Sequence, residues 1–167
     1  MIRPLFVIML FVVAFSCKKS ESTDDGIKPE DKEKAAALTT MLQSDSFRLK
    51  SYYSETPIDY IDTDQVVKSE TDLWSYVSNW LHDDAYIFSS DGSLTIRQGA
   101  IRIPSNGSGT ITKSYAVTAD QEGVSFDFVG HDYQTLRYRL ISFTDTGLKV
   151  SATWNGKTVI SEYGRLE

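Results

Sequence analysis

Five turn signals punctuate the second half of this 167-residue chain and leave it few folds to choose from. They are Ser90-Asp91-Gly92, Asn106-Gly107, Glu122-Gly123, Thr146-Gly147 and Asn155-Gly156. Asn-Gly and Asp-Gly reach the positive φ that tight hairpin turns demand. Between these signals lie strand-like runs at 85–89, 94–97, 100–103, 111–118, 124–129, 135–144, 148–154 and 157–163. Strands joined this closely are antiparallel neighbours, because a parallel pair needs a long crossover. The pattern therefore predicts a mainly β protein built as an up-and-down meander. Adding the run at 47–53 gives about eight or nine strands, a number at which a sheet closes into a barrel and loses its edges.

The runs alternate strictly. Val124, Phe126 and Phe128 interleave with Ser125 and Asp127, while Leu136, Tyr138 and Leu140 interleave with Arg137 and Arg139. Leu148, Val150, Ala152 and Trp154 interleave with Lys149, Ser151 and Thr153, and Tyr86 with Phe88, Leu94 with Ile96, and Tyr115 with Val117 extend the apolar set. One face is apolar and aromatic and the other is wet. The interior of a barrel of about eight strands is either filled by side chains or holds one small ligand. On the second alternative the candidate ligand-lining residues are Tyr86, Phe88, Tyr115, Val117, Phe126, Phe128, Tyr138 and Trp154. The hydroxyls of Tyr86, Tyr115 or Tyr138 would orient the bound molecule. On the first, the same residues are plain core.

One or two short helices precede or interrupt the first strands. Pro29, Glu30 and Asp31 suit a helix start, and Ala35, Leu38, Met41 and Leu42 recur at helical spacing until about Ser44-Asp45. The first strand follows at 47–53, with Phe47, Leu49 and Tyr53 on one face and Arg48, Lys50 and Tyr52 on the other. Residues 54–70, broken by Pro57 and strewn with Asp59, Asp62 and Asp64, read as irregular. Ser69 and Asp72 resemble a capping box for a second helix, whose apolar stripe is Leu73, Trp74, Val77, Trp80 and Leu81. Such a helix would plug one end of the barrel.

The N-terminus speaks to location. Arg3 precedes an unbroken apolar run, Leu5 to Phe15, and Ala14-Phe15-Ser16 leads into Cys17, the chain's single cysteine. The run is too short for a membrane-spanning helix, which needs ~20 residues, and suits a signal-peptide core. The small residues ending in cysteine resemble the lipobox of bacterial lipoproteins. That resemblance implies cleavage after residue 16 and acylation of Cys17, so that the protein sits in the cell envelope, in the outer membrane, through its acyl chains. Diacyl or triacyl anchoring supplies the two signals that stable attachment takes. Three regions result: a signal peptide at 1–16, a lipidated cysteine and polar tether at 17–30, and a barrel domain at 31–167. The mature chain of 167 − 16 = 151 residues is long enough for one cored domain. Net charge is −6 for the whole chain, and removing Arg3 with the leader makes it −7. That balance argues against nucleic acid, whose phosphates demand a basic partner.

Chemistry is thinly represented. His82-Asp83-Asp84 and His131-Asp132 place carboxylates beside imidazoles, but neither has metal-ligand spacing. Gly107-Ser108-Gly109 lacks a nucleophile elbow, and Asp62-Thr63-Asp64 lacks the glycine and distal glutamate of a calcium loop, with Leu73 in the final position. The reading is a non-enzymatic protein with no cofactor and no metal.

Tyr86-Ile-Phe-Ser-Ser-Asp-Gly-Ser-Leu-Thr-Ile96, with Gly99, resembles a hairpin that recurs in bacterial lipocalin-like lipoproteins. Tyr138-Arg-Leu-Ile-Ser-Phe-Thr-Asp-Thr-Gly-Leu148 looks like their penultimate hairpin. The resemblance covers most of residues 38–166 and implies a small antiparallel barrel behind a lipidated leader. It departs from the wider lipocalin pattern at Asp45-Ser46-Phe47, where a Gly-x-Trp signature would fall; Arg165 stands where an arginine near the closed end is expected. The functional expectation is a lipid-anchored envelope protein binding a small apolar or amphipathic ligand. The alternative is an interaction module with a filled barrel, acting in a surface protein assembly through residues 54–70 or its outer face.

Overall fold

The computed structural model describes residues 26–61, 65–77, 79–102, 108–129 and 134–167. The leader, Cys17, Asp62, Asp64, Ile103, Asn106-Gly107, His131 and the side chain of Trp80 lie outside the described residues. Among those described, one helix and ten strands form the fold. They are α1 (Pro29–Ser44), β1 (Ser46–Ile61), β2 (Val67–Asp72), β3 (Ala85–Phe88), β4 (Ser93–Arg97), β5 (Thr110–Ser114), β6 (Ala116–Asp120), β7 (Gly123–Val129), β8 (Thr135–Thr144), β9 (Gly147–Trp154) and β10 (Lys157–Arg165).

Nine strands follow one hydrogen-bonded path, β5-β4-β3-β1-β10-β9-β8-β7-β6, and β2 pairs with β1 beside it. All the pairings are antiparallel. The first strand meets the last, with Phe47 opposite Arg165 and Ser54 opposite Val159. The two ends of the path, β5 and β6, are halves of one run separated only by Tyr115. The run at 111–118 thus bends at Tyr115, giving its first half to β4 and its second to β7. The result is a nearly closed up-and-down barrel, the architecture expected from the turn spacing. Tyr115 is fixed at that corner: its N–H donates to the Gly92 carbonyl at 3.0 Å and its hydroxyl to the Ser89 carbonyl at 3.0 Å. Gln43 of α1 donates to the same hydroxyl at 2.9 Å.

Helix α1 closes one end. Proline in its first turn and the acids Glu30 and Asp31 favour its start. Ala35, Leu38 and Leu42 face inward and pack on β6, β7, β3 and β1. Burying Leu38 and Leu42 completely contributes roughly 1.5–3 kcal/mol each. The connections 89–92, 121–122 and 145–146 and the start of β1 share this plugged end. The 155–156 turn lies at the other end, the mouth. There Asn155 and Gly156 both adopt positive φ, 50° and 73°, as a two-residue hairpin turn requires.

Four sequence expectations are corrected. Residues 54–61 and 67–72 are ladder, not irregular: β1 continues past Pro57, where its register shifts, and pairs with β2 through Ile58 opposite Glu70 to Ile61 opposite Val67. Ser69 therefore sits in a strand opposite Asp59 rather than capping a helix. No second α-helix follows. Two three-residue 3-10 turns, Trp74–Tyr76 and Asn79–Leu81, occupy the stretch, with Val77 extended after the first at φ −67°, ψ 125°. Leu73, Val77 and Leu81 are nevertheless fully buried, so the apolar spacing reports burial without a helix. Finally, a bulge between Leu49 and Ser51 resets the phase of β1, so that Tyr52 points inward and Tyr53 outward. Residues 100–102 form no strand.

Candidate functional site

The barrel interior is not uniform. Phe126 and Phe128 stack at 4.2 Å, Phe88 touches Phe126 at 5.7 Å and Tyr115 at 5.0 Å, and Tyr163 meets Tyr86 at 5.5 Å and Phe128 at 5.3 Å. These rings fill the space against β3, β7 and β10. Burial pushes the Tyr163 phenol well above its ordinary pKa, so it stays neutral throughout the physiological range. Of the eight candidate ligand-lining residues, Tyr86, Phe88, Tyr115, Phe126 and Phe128 belong to this solid cluster. Val117 packs half-buried against it from β6. None of these six lines any of the three cavities below.

The other two, Tyr138 and Trp154, come together at the mouth. With Tyr52, Tyr76, Leu136, Ala152, Thr153 and Val159 they line a partly enclosed cavity of about 230 Å³. Strands β1, β8, β9 and β10 form its walls. Tyr76, on the Trp74–Tyr76 turn, covers it and leans on Trp154 at 4.7 Å with the rings tilted by 36°. The floor is the solid cluster itself, since Phe128 contacts Tyr138 at 4.7 Å.

The cover is built from the sequence upward. Asp72 accepts a hydrogen bond from the Trp74 N–H at 2.9 Å, which starts the turn. The Leu73 N–H then donates to the Tyr52 carbonyl at 3.0 Å, hanging the strap from β1. Leu73 and Val77 anchor it in the core on either side. Tyr60, from the far half of β1, meets Tyr76 edge-on at 5.3 Å, while its hydroxyl donates to Glu70 at 3.0 Å and lies 3.2 Å from Ser75 Oγ. Tyr52 and Tyr76 are the site residues that sequence reasoning missed. The bulge at Lys50 hid the first, and the helical reading hid the second.

The two larger cavities are open grooves on the outside. One, of about 310 Å³, runs past Lys50, Phe143, Gly147, Lys149 and Glu162. The other, of about 460 Å³, lies between the start of α1 and Gln121, Glu122 and Arg139. Beside it Arg139 reaches both oxygens of Asp120 at 2.7 Å and pairs with Glu122. The Ser125 hydroxyl, then Arg139, then the Glu122 N–H hold the Asp120 carboxyl down at about 2. Arg137 similarly grips Asp127 with two hydrogen bonds, 2.8 and 2.7 Å, and lowers its pKa. Arg165 pairs with Asp45 at the plugged end.

The His82 cluster has a structural task. The imidazole stacks on Trp74 at 4.2 Å, Asp83 accepts from the Ala100 N–H at 2.7 Å, and Asp84 accepts from the Gly99 N–H at 3.2 Å. A Cβ at residue 99 would fall 2.1 Å from the Asp83 carboxyl carbon, so only glycine fits beneath that clasp. Among the described residues no group of three or more His, Cys, Asp and Glu side chains is arranged to hold a metal. None of their helices is long and apolar enough to cross a membrane. No protein-family model and no curated protein sequence matches this chain.

Proposed function

We propose that this is a lipid-anchored cell-envelope protein whose barrel binds a small apolar or amphipathic molecule at its mouth, without catalysis. The observation that carries the binding half is the 230 Å³ cavity walled by Tyr52, Tyr76, Tyr138 and Trp154 at the end that α1 leaves open. Apolar concavities with a few polar atoms on rigid elements are where small molecules are held. The aromatic faces would desolvate the ligand, and the tyrosine hydroxyls would orient it. The anchoring half rests on the leader and on Cys17, the acyl chains holding the domain at the outer membrane.

A second reading has its own support. The β1–β2 hairpin leaves Ile61, Val66 and Val67 exposed at 61%, 54% and 69%. Apolar side chains gathered at a hairpin tip suit contact with a protein partner in a surface assembly. Native mass spectrometry of the protein, extracted with mild detergent from its own envelope, separates the two. A small-molecule adduct released on denaturation supports the carrier. A clean protein mass alongside a co-purifying protein supports the assembly module. The same spectra test the anchor, because acylation adds the mass of two or three fatty chains at Cys17, and an unmodified thiol there would refute it.

A further inference from the structure

We infer that the mouth cavity takes a compact, uncharged molecule of one or two rings, and rejects long-chain fatty acids. This rests on the reading of the cavity as a binding site and narrows its ligand class. Three observations carry it.

Depth is the first. A long acyl chain needs a channel along the barrel axis, and here that path is blocked. Phe128 lies against Tyr138 at the cavity floor, and Phe126 stacks behind Phe128 at 4.2 Å. Tyr86, Phe88 and Tyr163 complete the block, all 5% exposed or less.

Size is the second. An apolar cavity of ~150 Å³ accepts benzene, whereas drug-sized ligands occupy ~300–1,000 Å³. At about 230 Å³ the space falls between the two, which suits a single or fused ring. Trp154 and Tyr76 provide the complementary surfaces, since tilted and offset ring contacts are the favoured geometries for aromatic groups.

Charge is the third. Tyr52, Tyr76, Leu136, Tyr138, Ala152, Thr153, Trp154 and Val159 include no ionisable acid or base at neutral pH. The cations nearest in sequence are engaged elsewhere: Lys157 donates to the Pro57 carbonyl, Arg137 is held by Asp127 on the outer face, and Arg139 by Asp120 and Glu122. A carboxylate entering this space would lose its hydration without gaining a counter-charge, which disfavours it strongly.

The test titrates the purified full-length chain at neutral pH with three probes: 1-naphthol, 1-naphthoate and dodecanoate. Saturable one-to-one binding of 1-naphthol is expected, with the other two at least tenfold weaker. Trp154→Ala should weaken 1-naphthol at least tenfold. Ala152→Leu, which fills the cavity while keeping every ring, should do the same with an unchanged circular dichroism spectrum. Binding of 1-naphthol that survives Ala152→Leu would place the ring site elsewhere and overturn the inference. So would naphthoate matching naphthol. Dodecanoate binding tighter than naphthol, and lost in Ala152→Leu, would keep the cavity as a site but sink the ring class. Absence of saturable binding by all three would sink both readings.

Discussion

The two ends of this barrel are made from the same alternating strands and end in opposite states. At the plugged end a 16-residue helix lays Leu38 and Leu42 across the opening, and the rings beneath it pack against one another, fully buried or nearly so. At the mouth the cover is a three-residue turn, and Tyr52, Ala152, Trp154 and Val159 are left around a hollow. Inward-facing apolar residues are therefore necessary for both a core and a cavity. What decides between them is the element laid over the strand ends and the length of apolar face that it brings.

Substitutions at matched positions put this contrast to the test. The largest difference should come from ring deletion. Phe128→Ala, at a fully buried position, should cost about 3–5 kcal/mol in urea unfolding, and Trp154→Ala, half-buried at the mouth, less than half as much. Equal losses would mean that the mouth is packed like the core. Insertions come next. Val150→Phe on the filled level of β9 should cost ~1–3 kcal/mol through overpacking, while Ala152→Leu two residues on should stay within ~1 kcal/mol because the hollow receives it. Tyr115→Phe removes the hydroxyl that joins Gln43 of the helix to the Ser89 carbonyl, and should cost about 0.5–1.5 kcal/mol per hydrogen bond lost. The smallest effect belongs to the exposed ion network on the outer wall. Asp120 has a folded pKa of about 2 against an ordinary 3.8. The stability it contributes is therefore complete above about pH 4 and fades as the pH falls towards 2. Asp120→Asn should flatten that part of the unfolding-midpoint curve, and an unaltered slope would show the network to be idle.

Much of the architecture was legible in the chain because it is written in local grammar. The turns at 90–92, 122–123, 146–147 and 155–156 and the strict polar-apolar alternation of 124–128 and 148–154 each carry their information within a few residues. Helix α1 was equally clear from Pro29 and the spacing of Ala35, Leu38 and Leu42. The failures lie where a distant partner overrides that grammar. Ser69 with Asp72 looks like a helix start, yet the far half of β1 is aligned to take the segment as a strand. Tyr52 and Tyr53 exchanged faces because a bulge opposite β10 inserted one residue into the phase, and nothing in Leu49-Lys50-Ser51 announces it. The site suffered for the same reason. Tyr138 and Trp154 sit on well-phased strands, so their inward placement was legible, whereas that of Tyr52 and Tyr76 depends on that bulge and on a strap hung from the Tyr52 carbonyl. Which inward rings meet solid core is a property of the whole barrel, so Phe126 and Tyr138 look alike in sequence.

The seam between β1 and β10 has a consequence for how the molecule is born. Its partners, Phe47 and Arg165, are 165 − 47 = 118 residues apart, so the ring cannot shut until the last strand exists. Wherever the chain emerges N-terminal part first, β1 must wait with one ladder face unsatisfied until the last strand arrives. Such distant pairing slows folding, and a waiting strand edge invites other chains. Chains cut before Lys157 would lack the closing strand altogether, leaving β1 and β9 as two further open edges beside those of β5 and β6.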